Sequence, residues 1–417
     1  MKPNIEIVPL KSHLPEGLPC DMDVLIRIHA PVRPVGPETR LPLNLALVLD
    51  RSGSMSGRPI EYARQAARVA VQQMKDGDRV SVVAFDDQVS IPVESTVLTA
   101  SNRNQIMGLI DSIETRGSTD LHSGWLNGGL QVSSFLNPAH LNRVILLSDG
   151  EANHGITQPS EIQQNVSGLA DRGVSTSTLG MGDHFNEDLL QGMAESGDGN
   201  YHYVSDPREL PTFFEQELLG LKHTFGRKVS LGLEPNGRYG IKIKEVFNPF
   251  QRISTGRLKL PNLGYGKTID VVIRLHVPAL TRKDLDSAEA GLFRVRLACD
   301  TSNERMVLRQ QCNLPLLDPI QYAALPTHPL TLEKQAQLEV ARDKDEAMEH
   351  LDRGDYASSR AALERARGKI GIAMSAPMVA REEAEIQSVL DHMDQGNVQR
   401  ARKESKYQNY RKRTSKE

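Results

Sequence analysis

The chain has little cysteine: three residues in 417, Cys20, Cys299 and Cys312. That is too few for a disulfide framework, and the number is odd. It fits a reducing compartment, where free cysteines pack as small apolar groups. Long apolar runs are also missing. No stretch approaches the roughly 20 residues that cross a bilayer, so no membrane span is expected. The opening MKPNIEIVPLKSHLPEGL lacks the apolar centre of a signal peptide. Together these absences make a cytoplasmic protein the expectation. Charge of one sign is missing as well. Fifty basic and 53 acidic residues leave a formal charge of −3, so no global field points to nucleic acid or an anionic membrane. What remains is an ordinary globular composition, 39% hydrophobic and 25% charged, long enough for two or three domains.

Residues 41–221 alternate two patterns. LNLALVLD, DRVSVVAFDD, RVILLSDG and VSTSTLGMG are short apolar runs of the kind buried on both faces of a sheet. Between them lie segments of helical spacing: 60–75, 102–113, 125–135, 160–171, 187–194 and 208–221. Residues 90–98 read as an antiparallel edge strand, and YHYV as a last strand. The alternation predicts an α/β fold, a doubly wound and mainly parallel sheet covered on both sides. In such sheets ligands sit at the carboxyl ends of the strands. Asp50 and Asp149 both fall there.

The flanks differ. Residues 222–316 carry strand-like runs broken by Gly, Pro and Asn, without helical periodicity, and predict an antiparallel β-sandwich. IEIVPL and MDVLIRIHAP within residues 1–40 read as strands of that same β-domain, with the α/β unit inserted between. Residues 328–417 turn helical and charged. HLDRGDYASSRAALERAR, from His350, is echoed by HMDQGNVQRARKES, from His392, with Gly354 matching Gly396. Each reads as helix, glycine corner, helix, which predicts a C-terminal helical bundle. The tail from Arg400 holds eight basic residues against two acidic ones, with Tyr407 and Tyr410 interleaved. A solvated or frayed helix end is the simpler reading. An acidic partner or nucleic acid is the sharper one.

The chemistry concentrates at LNLALVLDRSGSMSG. A strand-end aspartate, Asp50, is followed by hydroxyls at Ser52 and Ser54. One turn thus presents three oxygens, a donor set for a hard divalent ion such as Mg²⁺ and a poor one for zinc or copper. One carboxylate under-neutralises such an ion. Asp149, at another strand end, is placed to supply a second, and Thr119 in ETRGSTDLHSGW a further hydroxyl.

With those residues in view, the chain resembles the von Willebrand factor type A domain and its metal-ion-dependent adhesion site. The resemblance rests on Asp50-Arg51-Ser52-Gly53-Ser54, on Thr119 within Gly117-Ser118-Thr119-Asp120, and on Asp149 within Leu147-Ser148-Asp149-Gly150. It covers residues 41–221. It implies a Rossmann-like fold in which Asp50, Ser52, Ser54, Thr119 and Asp149 hold Mg²⁺ or Mn²⁺, directly or through water, while a carboxylate of a partner protein completes the shell. Ca²⁺ also accepts oxygen ligands. The expectation is a metal-dependent protein–protein interaction module and not an enzyme. Bacterial members with flanking β-strands are the most similar.

Three other readings stand beside it. Some intracellular relatives work beside an AAA+ ATPase in metal insertion or complex remodelling; this chain has no Walker A motif, so another chain would supply the ATPase. Gly53-Ser54-Met55-Ser56-Gly57 is similar to the G-x-S-x-G elbow of serine hydrolases, but Met55 holds the place of the central serine and Ser56 lies about six residues past the strand end, too late for an elbow. Asp50 and Ser52 would alternatively just cap the helix that begins near Arg58. His122 would sit at the metal rim or, more simply, at the surface or as a cap.

Overall fold

The computed structural model describes residues 2–33, 41–182, 184–301 and 304–414; side chains at 219, 221, 222, 372 and 373 are outside that description. Residues 34–40 of the N-terminal segment, Asp183 and the last three residues of the tail thus lie outside the described residues. The chain divides into two compact units, 35–224 and 1–34 with 225–417.

The first unit is a six-stranded sheet in the order Val89–Val97, Arg79–Phe85, Leu43–Asp50, Leu141–Ser148, Ser175–Met181, Asp198–Val204. All neighbours are parallel except Val89–Val97, which pairs antiparallel at the edge. Leu43–Asp50 is buried at every position, as its unbroken apolar run requires. Six helices accompany the sheet: α1 (Arg58–Gln73), α2 (Arg103–Asp111), α3 (Leu121–Ser133), α4 (Pro159–Asp171), α5 (Glu187–Ser196) and α6 (Leu210–Lys222). The chain leaves Leu43–Asp50 toward one edge and later returns to its other side with Leu141–Ser148. The order therefore reverses between these two strands, and a crevice opens at their carboxyl ends.

Helix α3 starts four residues earlier than the apolar spacing suggests. Asp120 accepts a hydrogen bond from the Ser123 amide at 3.0 Å and caps it. This helix lies close to the sheet: a Cβ built on Gly124 would stand 2.4 Å from the Phe85 ring, and Phe85 is fully buried. Gly124→Ala is therefore expected to destabilise this unit. The helix-propensity gain of about 1 kcal/mol is outweighed by overpacking, which costs roughly 1–3 kcal/mol or more against a ring with no room to move. Urea unfolding followed by the fluorescence of Trp125, the one tryptophan, reads this unit selectively.

The second unit contains two sheets. One has the order Asn4–Pro9, Cys20–His29, Thr268–Val277, Lys242–Val246, all antiparallel. The other runs Leu258–Lys259, Thr224–Pro235, Glu289–Asp300, Arg305–Leu317, Leu14–Pro15, and its last pair is parallel. Val24, Ile26, Ile28, Val271 and Ile273 of the first sheet share one apolar cluster with Leu231, Val295 and Leu297 of the second. The alternate residues of the first sheet are buried too: Leu25 and Val272 pack with Val8, Phe247 and Leu338. Leu338 belongs to a helix, so this sheet is covered on both faces, which is why Leu25 interrupts the alternate polar positions Asp23, Arg27 and His29 of MDVLIRIHAP.

Helices α7 (Pro319–Ala324), α8 (Pro329–Asp352), α9 (Tyr356–Ala373), α10 (Ala376–Asp394) and α11 (Val398–Arg413) complete the unit. Gly354 and Gly396 turn the corners with φ of 73° and 76°. The expectation of a frayed tail is corrected here. The described part of the tail is α11, docked on α8 and α10, with Ala401, Asn409, Tyr410 and Lys412 buried. Its basic groups are matched by acids of the neighbouring helices: Lys412 meets Glu382 and Glu385, and Arg413 meets Asp345. Asn409 Nδ2 donates to the Ala341 carbonyl at 3.0 Å. The sequence of the tail shows its charge but not the acids it was to meet.

Candidate functional site

The crevice is lined from three elements. After Asp50 the chain makes a short 3-10 turn, Gly53–Met55, before α1. The cap of α1 is Gly57, with φ of 82° and no side-chain hydrogen bond. Asp50 and Ser52 therefore do not cap this helix. The turn holds itself instead: the Ser52 amide donates to Asp50 Oδ1 at 2.8 Å, and the Gly53 amide donates to the Gly117 carbonyl at 3.1 Å.

Oxygen atoms converge above this turn. Ser52 Oγ and Ser54 Oγ lie 3.1 Å apart, and Ser54 donates to Asp149 Oδ1 at 2.7 Å. Gly150 marks the centre. A Cβ there would stand 3.3 Å from Thr119 Oγ1, 3.7 Å from Ser54 Oγ and 3.9 Å from Asp50 Oδ2. The structure thus brings all five sequence-predicted residues, Asp50, Ser52, Ser54, Thr119 and Asp149, to one place from three separate segments. Asp50, Ser52 and Thr119 are buried.

The electrostatics of the two carboxylates are unfavourable as they stand. Burial pushes Asp50 above the usual carboxylate range, against hydrogen bonds from Ser148 and Ser52 that favour its charge. Burial raises Asp149 to about 6, with the Asp50 charge adding to the rise and the Ser54 hydrogen bond opposing it. Neither carboxylate has a lysine or arginine against it among the described residues. Arg51, the nearest cation in sequence, turns away to Asp86, at 3.2 Å. A small space edged by two carboxylates and hydroxyls, with no cation of the protein's own, is what a hard divalent ion satisfies. No cluster of three or more His, Cys, Asp or Glu side chains suited to a metal occurs among the described residues. This donor set has only two carboxylates and relies on hydroxyls.

Several groups around the site carry no sequence signal of their own. Ser148 donates to Asp50 Oδ2 at 2.5 Å and so fixes the oxygen that its partner Ser52 leaves open. Asn153 accepts from the Thr119 amide at 2.9 Å, and its own amide donates to the Thr119 carbonyl at 3.2 Å. Asp86 is fully buried. It takes the Arg51 and Arg116 guanidinium groups, and its carbonyl accepts the Asp120 amide at 2.8 Å. It thereby ties the Asp50 turn to the Thr119 loop. Ser148 stands next to Asp149 in LLSDG, so strand-end position is the one signal that points to it.

One expectation shifts. His122 is not at the surface: it is buried in α3, with Nε2 3.1 Å from Asn165 Nδ2 and its ring 5.8 Å from that of Trp125. Burial lowers its pKa. Ser56 follows the 3-10 turn, and its hydroxyl is 3.0 Å from Thr115 Oγ1.

Residues 44–216 match the family model for the von Willebrand factor type A domain. The chain carries such a domain. Domains of this family generally mediate metal-dependent protein interactions. The chain is 32% identical over 216 residues to protein sll0103 of Synechocystis sp., covering 52% of this chain and 50% of that one. It is also 32% identical over 214 residues to human inter-alpha-trypsin inhibitor heavy chain H3, covering 47% and 24% respectively. The chain thus spans half or less of the length of these curated relatives. The solved structure of a von Willebrand factor type A protein from Catenulispora acidiphila superposes with a TM-score of 0.73 at 16% identity, over 93% of this chain and 90% of that one. The shared fold therefore extends to the flanking unit as well as the type A domain. No described helix is long and apolar enough to cross a membrane.

Thr119→Val tests the third segment of the site. It keeps the side chain's shape and removes the oxygen nearest the Gly150 centre. Divalent-ion affinity is expected to fall about 10-fold or more, read by ion titration of Trp125 fluorescence. Stability in EDTA changes little, because among the described residues no hydrogen bond to Thr119 Oγ1 is broken.

Proposed function

We propose that this chain is a divalent-metal-dependent protein-binding module. Asp50, Ser52, Ser54, Thr119 and Asp149 would hold the ion, Mg²⁺ first and Mn²⁺ or Ca²⁺ as alternatives, and a partner's Asp or Glu would take the exchangeable position. The ion supplies a Lewis-acidic attachment point for a carboxylate. The chain's own residues supply the rest. Ser148 and the Ser52 amide orient Asp50, Asn153 orients the Thr119 loop, and Asp86 holds the two loops together. The observation that carries this reading is the convergence of Thr119, Ser54 and Asp50 oxygens around Gly150 beside the buried Asp50 and half-buried Asp149 carboxylates, with no lysine or arginine against them among the described residues.

One carboxylate bond is not specific, so the surrounding rim, residues 55–59 and 151–158, would choose the partner. A cytoplasmic setting and a non-enzymatic role belong to the same proposal; three free cysteines fit the former. The ATPase-coupled reading draws no support from the relatives or the fold.

The test is thermal unfolding across a Mg²⁺ and Mn²⁺ titration, with EDTA as the baseline. An ion that binds only the folded state raises Tm with concentration. A rising Tm supports the proposal. A Tm equal in EDTA and saturating ion overturns the ion-holding role of the five residues.

A further inference from the structure

The outer face of the four-stranded sheet is covered by α8 and the end of α11, but not completely. Between them lies a cavity of about 270 Å³. Four cationic side chains line it, Arg27, Lys267, Lys334 and Lys412, against one carboxylate, Asp270. Val272 and Leu338 give it an apolar wall.

The charges do not balance locally. Arg27 and Asp270 are directly opposite across neighbouring strands, and Arg27 Nε donates to Asp270 Oδ1 at 2.9 Å. Lys334 Nζ stands 3.5 Å from the other oxygen of the same carboxylate. One anion is thus shared by two cations. The two Nη groups of Arg27 make no hydrogen bond to the described chain, and neither does Lys334 Nζ. Lys412 is matched from outside the cavity by Glu382 and Glu385, so the local balance turns on Arg27 and Lys334 against Asp270.

We propose that this cavity binds a small phosphate monoester. A guanidinium fork beside lysine point charges suits a tetrahedral dianion. The open Nη and Nζ donors of Arg27 and Lys334 suit phosphate oxygens, and the apolar wall suits the carbon skeleton of the ester. The site is concave and small, which fits a metabolite-sized ligand and not a nucleic acid or a membrane surface. It joins sheet to helices at a junction already pinned by Asn248, whose Nδ2 donates to the carbonyls of Asp270 and Arg413 at 3.1 and 3.0 Å. A bound phosphate would therefore hold α11 more firmly to the sheet.

Calorimetric titration of the 417-residue chain with phenyl phosphate, inorganic phosphate and succinate, at ionic strength matched with sodium chloride, tests this. Saturable binding is expected for phenyl phosphate and, more weakly, inorganic phosphate. It should persist in EDTA, which separates it from the metal site. Lys334→Gln, at a half-buried position in the second turn of α8, is expected to weaken it roughly tenfold, the value of one charge-assisted hydrogen bond. Arg27→Lys, which keeps the charge beside Asp270 but loses the fork, should also weaken it. Hydrogen exchange in α11 should slow when phenyl phosphate is added. Heats no larger than those of sodium chloride, or equal binding in wild type and both variants, overturn the site. Succinate binding as tightly as phenyl phosphate overturns the phosphate class.

Discussion

Asp50→Ala is expected to abolish the Mg²⁺-dependent rise in Tm and to lower ion affinity by more than about 100-fold, since even outer groups around a metal are worth 10–100-fold. The reason is its position. Asp50 is the buried carboxylate at the strand end, with one oxygen held by the Ser52 amide and the other by Ser148. In EDTA the same change should cost little. The charged form of Asp50 is disfavoured by burial and by the nearby Asp86 charge, so its removal relieves as well as disrupts. The sign follows: a carboxyl whose folded pKa is raised above its unfolded value opposes folding once pH exceeds the unfolded range. Stability lost equally with and without Mg²⁺ would mean that Asp50 is merely structural. Asp50→Asn is the sharper control, because the amide retains an oxygen acceptor while losing the charge. It should fold like wild type and still fail to bind the ion.

The second large effect lies at the other end of the same sheet. Arg143→Met is expected to destabilise the type A domain by about 3–5 kcal/mol, the usual consequence of stranding a buried charge. Arg143 and Glu217 form an ion pair with side chains 6% and 1% exposed. Arg143 also donates to Ser175 at 2.9 Å and Ser177 at 3.0 Å. Glu217 of α6 further accepts from Ser177 and from Asn200 Nδ2 at 2.8 Å, with His202 Nε2 at 3.1 Å. This network attaches α6 to three strands, Leu141–Ser148, Ser175–Met181 and Asp198–Val204. Burial alone would raise the Glu217 carboxyl; the Arg143 guanidinium, with His202 and Ser177, more than offsets it and holds the group well below the usual range.

A depressed pKa contributes stability that is present above the unfolded value and lost as pH falls below it. Wild type should therefore weaken below about pH 4.5. Arg143→Met, whose Glu217 has lost its main support, should narrow its deficit as the carboxyl takes up a proton. Urea unfolding read by Trp125 across that range checks both signs. Arg143→Met with Glu217→Leu should recover much of the loss, because an apolar pair of similar volume replaces a buried ion pair at little cost. A double variant as unstable as the single one would place the cost in packing instead of charge.

The elements that were legible in the sequence are those whose signal is local. LNLALVLD and RVILLSDG are strands because unbroken apolar runs belong inside a parallel sheet, and the α/β alternation follows from them. The spacing of Asp50, Ser52 and Ser54, with Asp149 at a second strand end, marked the candidate site. The start of α3 was not legible from apolar spacing, since Asp120 sets it by a hydrogen bond. Nor was the burial of His122, which depends on Asn165 of α4 lying beside it.

By itself, then, the sequence determined which segments become strands and helices and which oxygen-bearing residues end up at strand ends. Those properties depend on periodicity and on neighbours a few residues away. Tertiary structure alone decided the rest. It set Thr119, Ser54 and Asp50 around Gly150, and it paired Cys20–His29 with Thr268–Val277. It also closed α11 onto α8 and α10, so that a basic tail became a buried, acid-matched helix. Each of these depends on which faces of distant segments pack together. That choice is made by burial and charge pairing across the whole unit, and no short stretch of the chain encodes it.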